Sequence, residues 1–360
     1  MKNSKKELVS LLKSLVSFKT TSDNLPEIRR CVDFVEDYFS GSGLFVKKFV
    51  SGGKPSLVVT AKNTKSPDVF FVAHLDVVPA AASDFKAKVR SGKVFGRGAL
   101  DNKGSAAVLM YLMKELAKKG KKPPVGLMLS CDEEIGGENG VKYLLRQGFR
   151  SRFVVVPDAG KGLNQLIFKE KGLLRLKVSA GGKAAHGAYP WKGENAIEKL
   201  IGAYERIKRL FPETGRNHWH STVNLGVISG GSAVNVVPDY AEMFLDVRFT
   251  ENESVKGLLR RIREASGLET EVMQSGIVFF TSVKNRHVQR LAGIAGKVTN
   301  KRVFFGAEHG ASDIRHFAER NIPGILFLPE GGNVHSGNEC VVISSLVGLY
   351  RILSEFAGQL

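Results

Sequence analysis

Cysteine is scarce. Cys31, Cys131 and Cys340 are the only three in 360 residues, an odd and sparse set that excludes a disulfide framework and suits a reducing cytoplasm. Long apolar runs are missing as well, none reaching the roughly 18–20 residues a membrane helix needs, so no membrane partner is expected. The first helix carries Glu7 and polar breaks without a small-residue cleavage site, and so does not read as a secretory signal. There is no internal repeat and no low-complexity stretch. Acidic residues are outnumbered, 35 against 53 Lys and Arg, which leaves a formal charge of +18. That surplus admits nucleic acid, an anionic surface or a basic proteome. The aromatic and basic interleaving of a single-strand-binding groove is absent, so no specific nucleic-acid partner is expected. A basic nucleic-acid-binding protein on a decayed hydrolase scaffold is the remote alternative.

What is present is ordinary globular composition, 43% hydrophobic and 24% charged, over a length natural for two domains. Ser4 and Glu7 form a capping-box pattern that places Ser4 as the N-cap of a first helix. A second helix is predicted from about Pro26 to Phe39. Strands are predicted at Leu44–Val50, Leu57–Ala61, Val69–Ala73, Val125–Ser130 and Phe153–Val156, with a helix from Lys103 to Lys119 between them. Apolar strands alternating with helices imply a mixed α/β fold whose largely parallel sheet is sandwiched by helices. From about residue 171 the order becomes β-α-β-β-α-β, that of a ferredoxin-like α+β sandwich. The larger pattern resumes after residue 285. The expected organisation is a first part at 1–170, an insert at 171–285 and a second part at 286–360.

Ligand-type side chains stand where the strands end, the usual place for a site in an open α/β sheet. Val69–Ala73 runs into His74-Leu75-Asp76. Val125–Ser130 leads to Asp132-Glu133-Glu134, and Phe153–Val156 to Asp158. Asp101 lies in a glycine-rich loop opening a helix, and His335 follows the strand predicted at Gly324–Leu328. Two imidazoles and three carboxylates suffice for two Zn²⁺ ions with a position left open. A spare carboxylate in the Glu133-Glu134 pair could serve as a base.

His74-Leu75-Asp76-Val77-Val78-Pro79, Gly96-Arg97-Gly98 with Asp101-Asn102-Lys103-Gly104, Asp132-Glu133-Glu134 and His335 with Asn338-Glu339 together resemble the M20 family of metallopeptidases and deacylases. The resemblance runs from about residue 5 to 358, with the motifs in family order. It implies a zinc-peptidase type of sheet and two Zn²⁺ ions per subunit, with Co²⁺ able to substitute. His74, Asp101 and Asp158 would hold one ion, and Asp101, Glu134 and His335 the other. Asp76 would orient His74 through its second nitrogen, and Glu133 would be the general base for a metal-activated water.

The insert matches too. Ala185-His186-Gly187-Ala188-Tyr189-Pro190 is similar to the start of the family's dimerisation domain, which implies a homodimer and an oxyanion role for His186. Asn235, Arg248 and Ser312 stand at positions that meet the substrate's carboxylate in the family. The implied reaction is amide hydrolysis of an N-acyl amino acid, of succinyl-diaminopimelate or acetylornithine type, or of a short peptide. The alternative is a dipeptidase or carboxypeptidase of the same family. Asn102 leans toward the peptidase branches and Ala188-Tyr189-Pro190 toward the desuccinylase. His218 and His220, beside Gly215-Arg216-Asn217, read as a surface loop, and Lys118 to Lys122 as a solvated basic helix end.

Overall fold

The computed structural model describes residues 2–120, 123–213 and 218–360. The turn expected at Gly215-Arg216-Asn217, and Lys121 and Lys122 of the basic helix end, lie outside the described residues. The chain divides into two compact units, one made of the chain up to Lys169 with Phe280–Glu308 and Ser312–Leu360, the other of Glu170–Phe279 with His309–Ala311.

In the first unit, Val69–His74, Val125–Ser130, Phe153–Val156 and Gly324–Leu326 are buried along their whole length. Near-continuous Val, Leu and Phe content is what a strand covered on both faces requires. These four pair in parallel, in the order Val125–Ser130, Val69–His74, Phe153–Val156, Gly324–Leu326. Lys54–Thr60 and Phe45–Ser51 extend one side as antiparallel neighbours. Alternation splits the side chains between layers. Phe153 and Val155 join the core formed by the helices Lys2–Ser17, Lys103–Lys118, Arg286–Thr299 and Ile343–Gly358. Val154 faces the opposite layer, beside Ile314 of the short helix Ile314–Ala318. The three cysteines are free and buried. No helix of the described residues is long and apolar enough to cross a membrane.

The first helix begins at Lys2, so Ser4 lies inside it and is not its N-cap; two residues before Ser4 already adopt helical backbone. Much of the helix's anchorage comes from Leu8, Leu11, Leu12 and Leu15, all buried, and a packed apolar stripe outweighs a local cap.

The second unit is an antiparallel sheet in the order Thr222–Gly230, Tyr240–Phe249, Gly172–Gly181, Glu269–Gly276. Alternating Leu174, Leu176, Val178, Met243, Leu245 and Val247 meet Leu200 and Ile207 of one helix and Leu258 and Ile262 of another in a single core. Those helices start where capping chemistry predicts. Asn195 accepts from the main-chain N–H of Ile197 at 3.0 Å, and Ser254 from that of Gly257 at 3.1 Å. Gly267, at φ 63°, closes the second helix in the left-handed conformation.

Candidate metal centre

Parallel pairing places the strand ends side by side. His74 is registered against Ser130, so the acidic turn at Glu133–Ile135 follows just beyond the end of the neighbouring strand. Asp158 follows Phe153–Val156 on the other side. A small antiparallel sheet does the rest: Cys340 pairs with Phe95, which brings the His335–Glu339 segment to the loop at 96–101.

There the side chains converge. His74 Nε2 lies 3.0 Å from Asp101 Oδ1 and 3.6 Å from Asp158 Oδ1. His335 Nε2 lies 3.1 Å from Asp101 Oδ2 and 3.2 Å from Glu134 Oε2. Asp101 therefore stands between the two imidazoles, one oxygen toward each. Ligand atoms of His74, Asp101 and Glu134 all fall within 4.8 Å of one another. His335 has φ 59°, a left-handed backbone uncommon for a non-glycine residue and worth attention at a site.

The electrostatics are those of a crowded acid cluster. Burial alone would pull the His74 imidazole down, but Asp101, Asp158 and Asp76 carry it well above its ordinary value. Hydrogen bonds to Asp101 and Glu134 push His335 up to about 10. Burial would raise Asp101, yet the two imidazoles hold it below the usual carboxylate range. Burial raises Glu134 and Asp158, each partly offset by its imidazole partner. Glu133 keeps a partly exposed edge, but the protein around it, with Asp158, Asp313 and Asp101 nearby, holds its carboxyl well above the usual range.

Asp76 is fully buried. Its main-chain carbonyl lies 3.0 Å from His74 Nδ1, with the carboxylate at 3.5 Å. The other carboxylate oxygen accepts the N–H of Glu134 at 3.0 Å. One residue thus orients an imidazole and pins the acidic turn. Two further residues hold the site and went unassigned in the sequence. Asn102 donates to Asp158 Oδ1 and to the Pro157 carbonyl, both at 2.8 Å. Glu339 accepts from Arg97 Nη1 at 2.6 Å and from the main-chain N–H groups of Gly98, Leu100 and Asp101 at 3.0, 2.9 and 3.0 Å. Asn102 was visible as a polar residue after Asp101, and Glu339 as the last residue of the His335 motif; neither pattern reveals the partner.

Ser312 is buried in the first unit and lies in the turn entering Ile314–Ala318. His186, Asn235 and Arg248 belong to the second unit. His186 and Val236 pair across a two-residue ribbon, and Gly187 donates its N–H to the Asn235 carbonyl at 2.7 Å, so His186 and Asn235 are neighbours. The ring of His186 accepts the Ala188 N–H at Nδ1, at 3.1 Å. Arg248 turns its fork on Asp246, two residues back on its own strand, at 2.6 and 3.1 Å. His218 is exposed, while His316 is buried with Nε2 3.3 Å from the Gly136 carbonyl.

The donor set fits divalent cations. Asp101, Glu133, Glu134 and Asp158 crowd four carboxyl groups around two imidazoles, and Glu134 Oε1 is buried with no hydrogen-bond partner among the described residues. Oxygen and imidazole ligands with a shared carboxylate are the chemistry of zinc hydrolase sites.

A largely parallel α/β sheet with such a cluster at its strand ends offers the donor chemistry of a metal-dependent hydrolase. The profile of Peptidase family M20/M25/M40 matches residues 70–359, and the chain belongs to that family: it is a hydrolase of amide or peptide bonds. It is 27% identical over 379 aligned residues to a succinyl-diaminopimelate desuccinylase of Rickettsia felis, covering 97% of this chain and 98% of that one. Among solved structures it resembles a tripeptidase from Staphylococcus aureus, with TM-score 0.81 at 21% identity over 98% of this chain and 97% of that one. It also resembles an M20 family metallo-carboxypeptidase from Sulfolobus solfataricus, with TM-score 0.82 at 19% identity over 98% of each. At those identities the structural likeness speaks to fold.

Proposed function

We propose that the protein is a two-zinc amidohydrolase acting on an N-acyl amino acid of the succinyl-diaminopimelate or acetylornithine type. The observation that carries this is Asp101, with one oxygen 3.0 Å from His74 and the other 3.1 Å from His335. In this reading His74, Asp101 and Asp158 hold one ion and Asp101, Glu134 and His335 the other. Bound there, the ions supply Lewis acidity toward the amide carbonyl and lower the pKa of water.

Glu133 takes the proton of the attacking water and returns it to the departing nitrogen as the carbon–nitrogen bond breaks. Asp76 and Asn102 hold His74 and Asp158 in place. His186 supplies a donor to the oxyanion: the Ala188 N–H occupies Nδ1, which leaves the neutral ring's proton on Nε2. Arg248, Asn235 and Ser312 recognise the substrate carboxylate. For Arg248 this requires sharing or releasing Asp246.

The inserted unit is the dimerisation domain in this reading. Among the described residues its edge strand Thr222–Gly230 has one sheet neighbour, Tyr240–Phe249, and it exposes Val227 and Ile228, with Ile201 exposed on the helix Ala196–Lys208. An open apolar edge of this kind invites a second copy. Three buried free thiols suit a reducing cytoplasm.

The test is a hydrolysis screen of the zinc-loaded protein on N-succinyl and N-acetyl amino acids and a dipeptide panel, with and without chelation. Acyl amino acid turnover that chelation abolishes and Zn²⁺ or Co²⁺ restores is the expected result. Preference for dipeptides would replace the deacylase reading with the peptidase one, and full activity after chelation would end both.

A further inference from the structure

Two turns of the first unit lie against each other: the one carrying Glu133 and the one carrying Ser312. Gly136 ends the first, with φ 112° and its N–H on the Glu133 carbonyl at 2.8 Å. The helix Ile314–Ala318 follows the second and carries Arg315, buried at 3% exposure. Arg315 Nη1 donates to the Ser312 carbonyl at 2.9 Å, and Nη2 to the Gly136 carbonyl at 2.6 Å. Both acceptors are main-chain carbonyls, one from each turn.

The turns also touch directly. Ser130, at the end of the strand before the acidic turn, donates Oγ to Asp313 Oδ2 at 3.0 Å. A Cβ on Gly137, which has φ +67°, would lie 2.3 Å from Asp313 Oδ1. Glycine is required there by both backbone and space. His316 adds a ring nitrogen 3.3 Å from the same Gly136 carbonyl.

A guanidinium is planar and rigid, with donors at fixed separations. Held at both ends by short bonds in a packed interior, it transmits displacement of one carbonyl to the other, because close-packed interiors yield little. We propose that Arg315 is a positioning residue that couples the Ser312 turn to the Glu133 turn, so that a substrate carboxylate engaged at Ser312 sets the placement of the general base. This rests on the proposed roles of Glu133 and Ser312. Its consequence is that carboxylate recognition raises kcat, beyond tightening binding. A lysine cannot replace the fork, since its single ammonium reaches one carbonyl well or neither.

The experiment uses the zinc-loaded full chain and the acyl amino acid hydrolysed fastest in the screen, beside its carboxamide, which lacks the negative charge. For the wild type, kcat is expected to fall tenfold or more on the carboxamide. In Arg315→Lys, kcat on the carboxylate substrate is expected to drop toward the carboxamide value, shrinking the ratio below threefold, with zinc content and Tm retained. A wild-type effect confined to KM, or a variant that keeps the wild-type kcat ratio, overturns the coupling. Should Arg315→Lys fail to fold, the wild-type split between kcat and KM decides alone. Failure of the underlying reading looks different: Glu133→Gln would then stay active, whatever the carboxylate ratios.

Discussion

Glu339 fixes Asp101 from 238 residues away in sequence, its carboxylate oxygen 3.0 Å from the Asp101 N–H. The same carboxylate neutralises Arg97, and both side chains are almost wholly buried. Removing one member of such a pair leaves a charge in the interior without its counterpart.

Glu339→Gln keeps the shape but discards that charge and weakens the hold on the loop at 98–101. The expected cost is about 3 kcal/mol in urea unfolding, with reduced retention of zinc after dialysis. Arg97→Met combined with Glu339→Gln should regain part of the stability and none of the zinc retention, since only the carboxylate caps the loop. A single variant as stable and as zinc-replete as the wild type would show that Glu339 does not organise this loop.

Lys103 offers a pH test away from turnover. It is fully buried, with Nζ on the Phe18 carbonyl at 2.7 Å. Burial, partly offset by Cys31, Asp76, Cys131 and Glu339, pulls it down to about 8. An unfolded lysine titrates near 10.4. Between those values the unfolded chain binds more protons, so this group's contribution to stability rises with pH. From pH 7 to 9.5 the gain is roughly 2 kcal/mol relative to Lys103→Met. Denaturation curves of the two proteins across that range should diverge by that amount; parallel curves would mean that Lys103 is not desolvated in solution.

Dimerisation is tested at the open edge. Val227→Asp places a charge on an exposed strand position and should shift the protein to monomer in sedimentation, with Tm of the subunit changed little. If His186 completes the site of a second copy, turnover falls with the dimer, and added His186→Ala causes no further loss. A fully active monomer would remove the dimer from the mechanism.

What the sequence made legible follows physical lines. The gathering of His74, Glu134 and Asp158 could be read because His74 ends, and the other two follow, strands buried on both faces, whose apolar runs are a local signal. Asn102, Glu339 and Arg315 could not, because their work depends on partners brought near by distant pairing, such as Cys340 with Phe95. The strands Lys88–Arg90, Lys93–Phe95 and Cys340–Val342 are three residues each, too short for alternation to register. Ser4 shows the converse error: a local capping pattern lost to packing of the whole helix. Asp246 and Arg248 sit two apart on a strand, hence on one face, and that spacing already allowed the ion pair now seen.

In the proposed reaction Glu133 moves the proton of a metal-dependent amide hydrolysis. The most direct measurement is kcat of Glu133→Gln on the best acyl amino acid substrate, taken together with zinc content. A fall of about 10³-fold or more with zinc unchanged is predicted, in keeping with the upper range of general acid–base contributions. Activity within tenfold of the wild type, zinc still bound, would contradict the account.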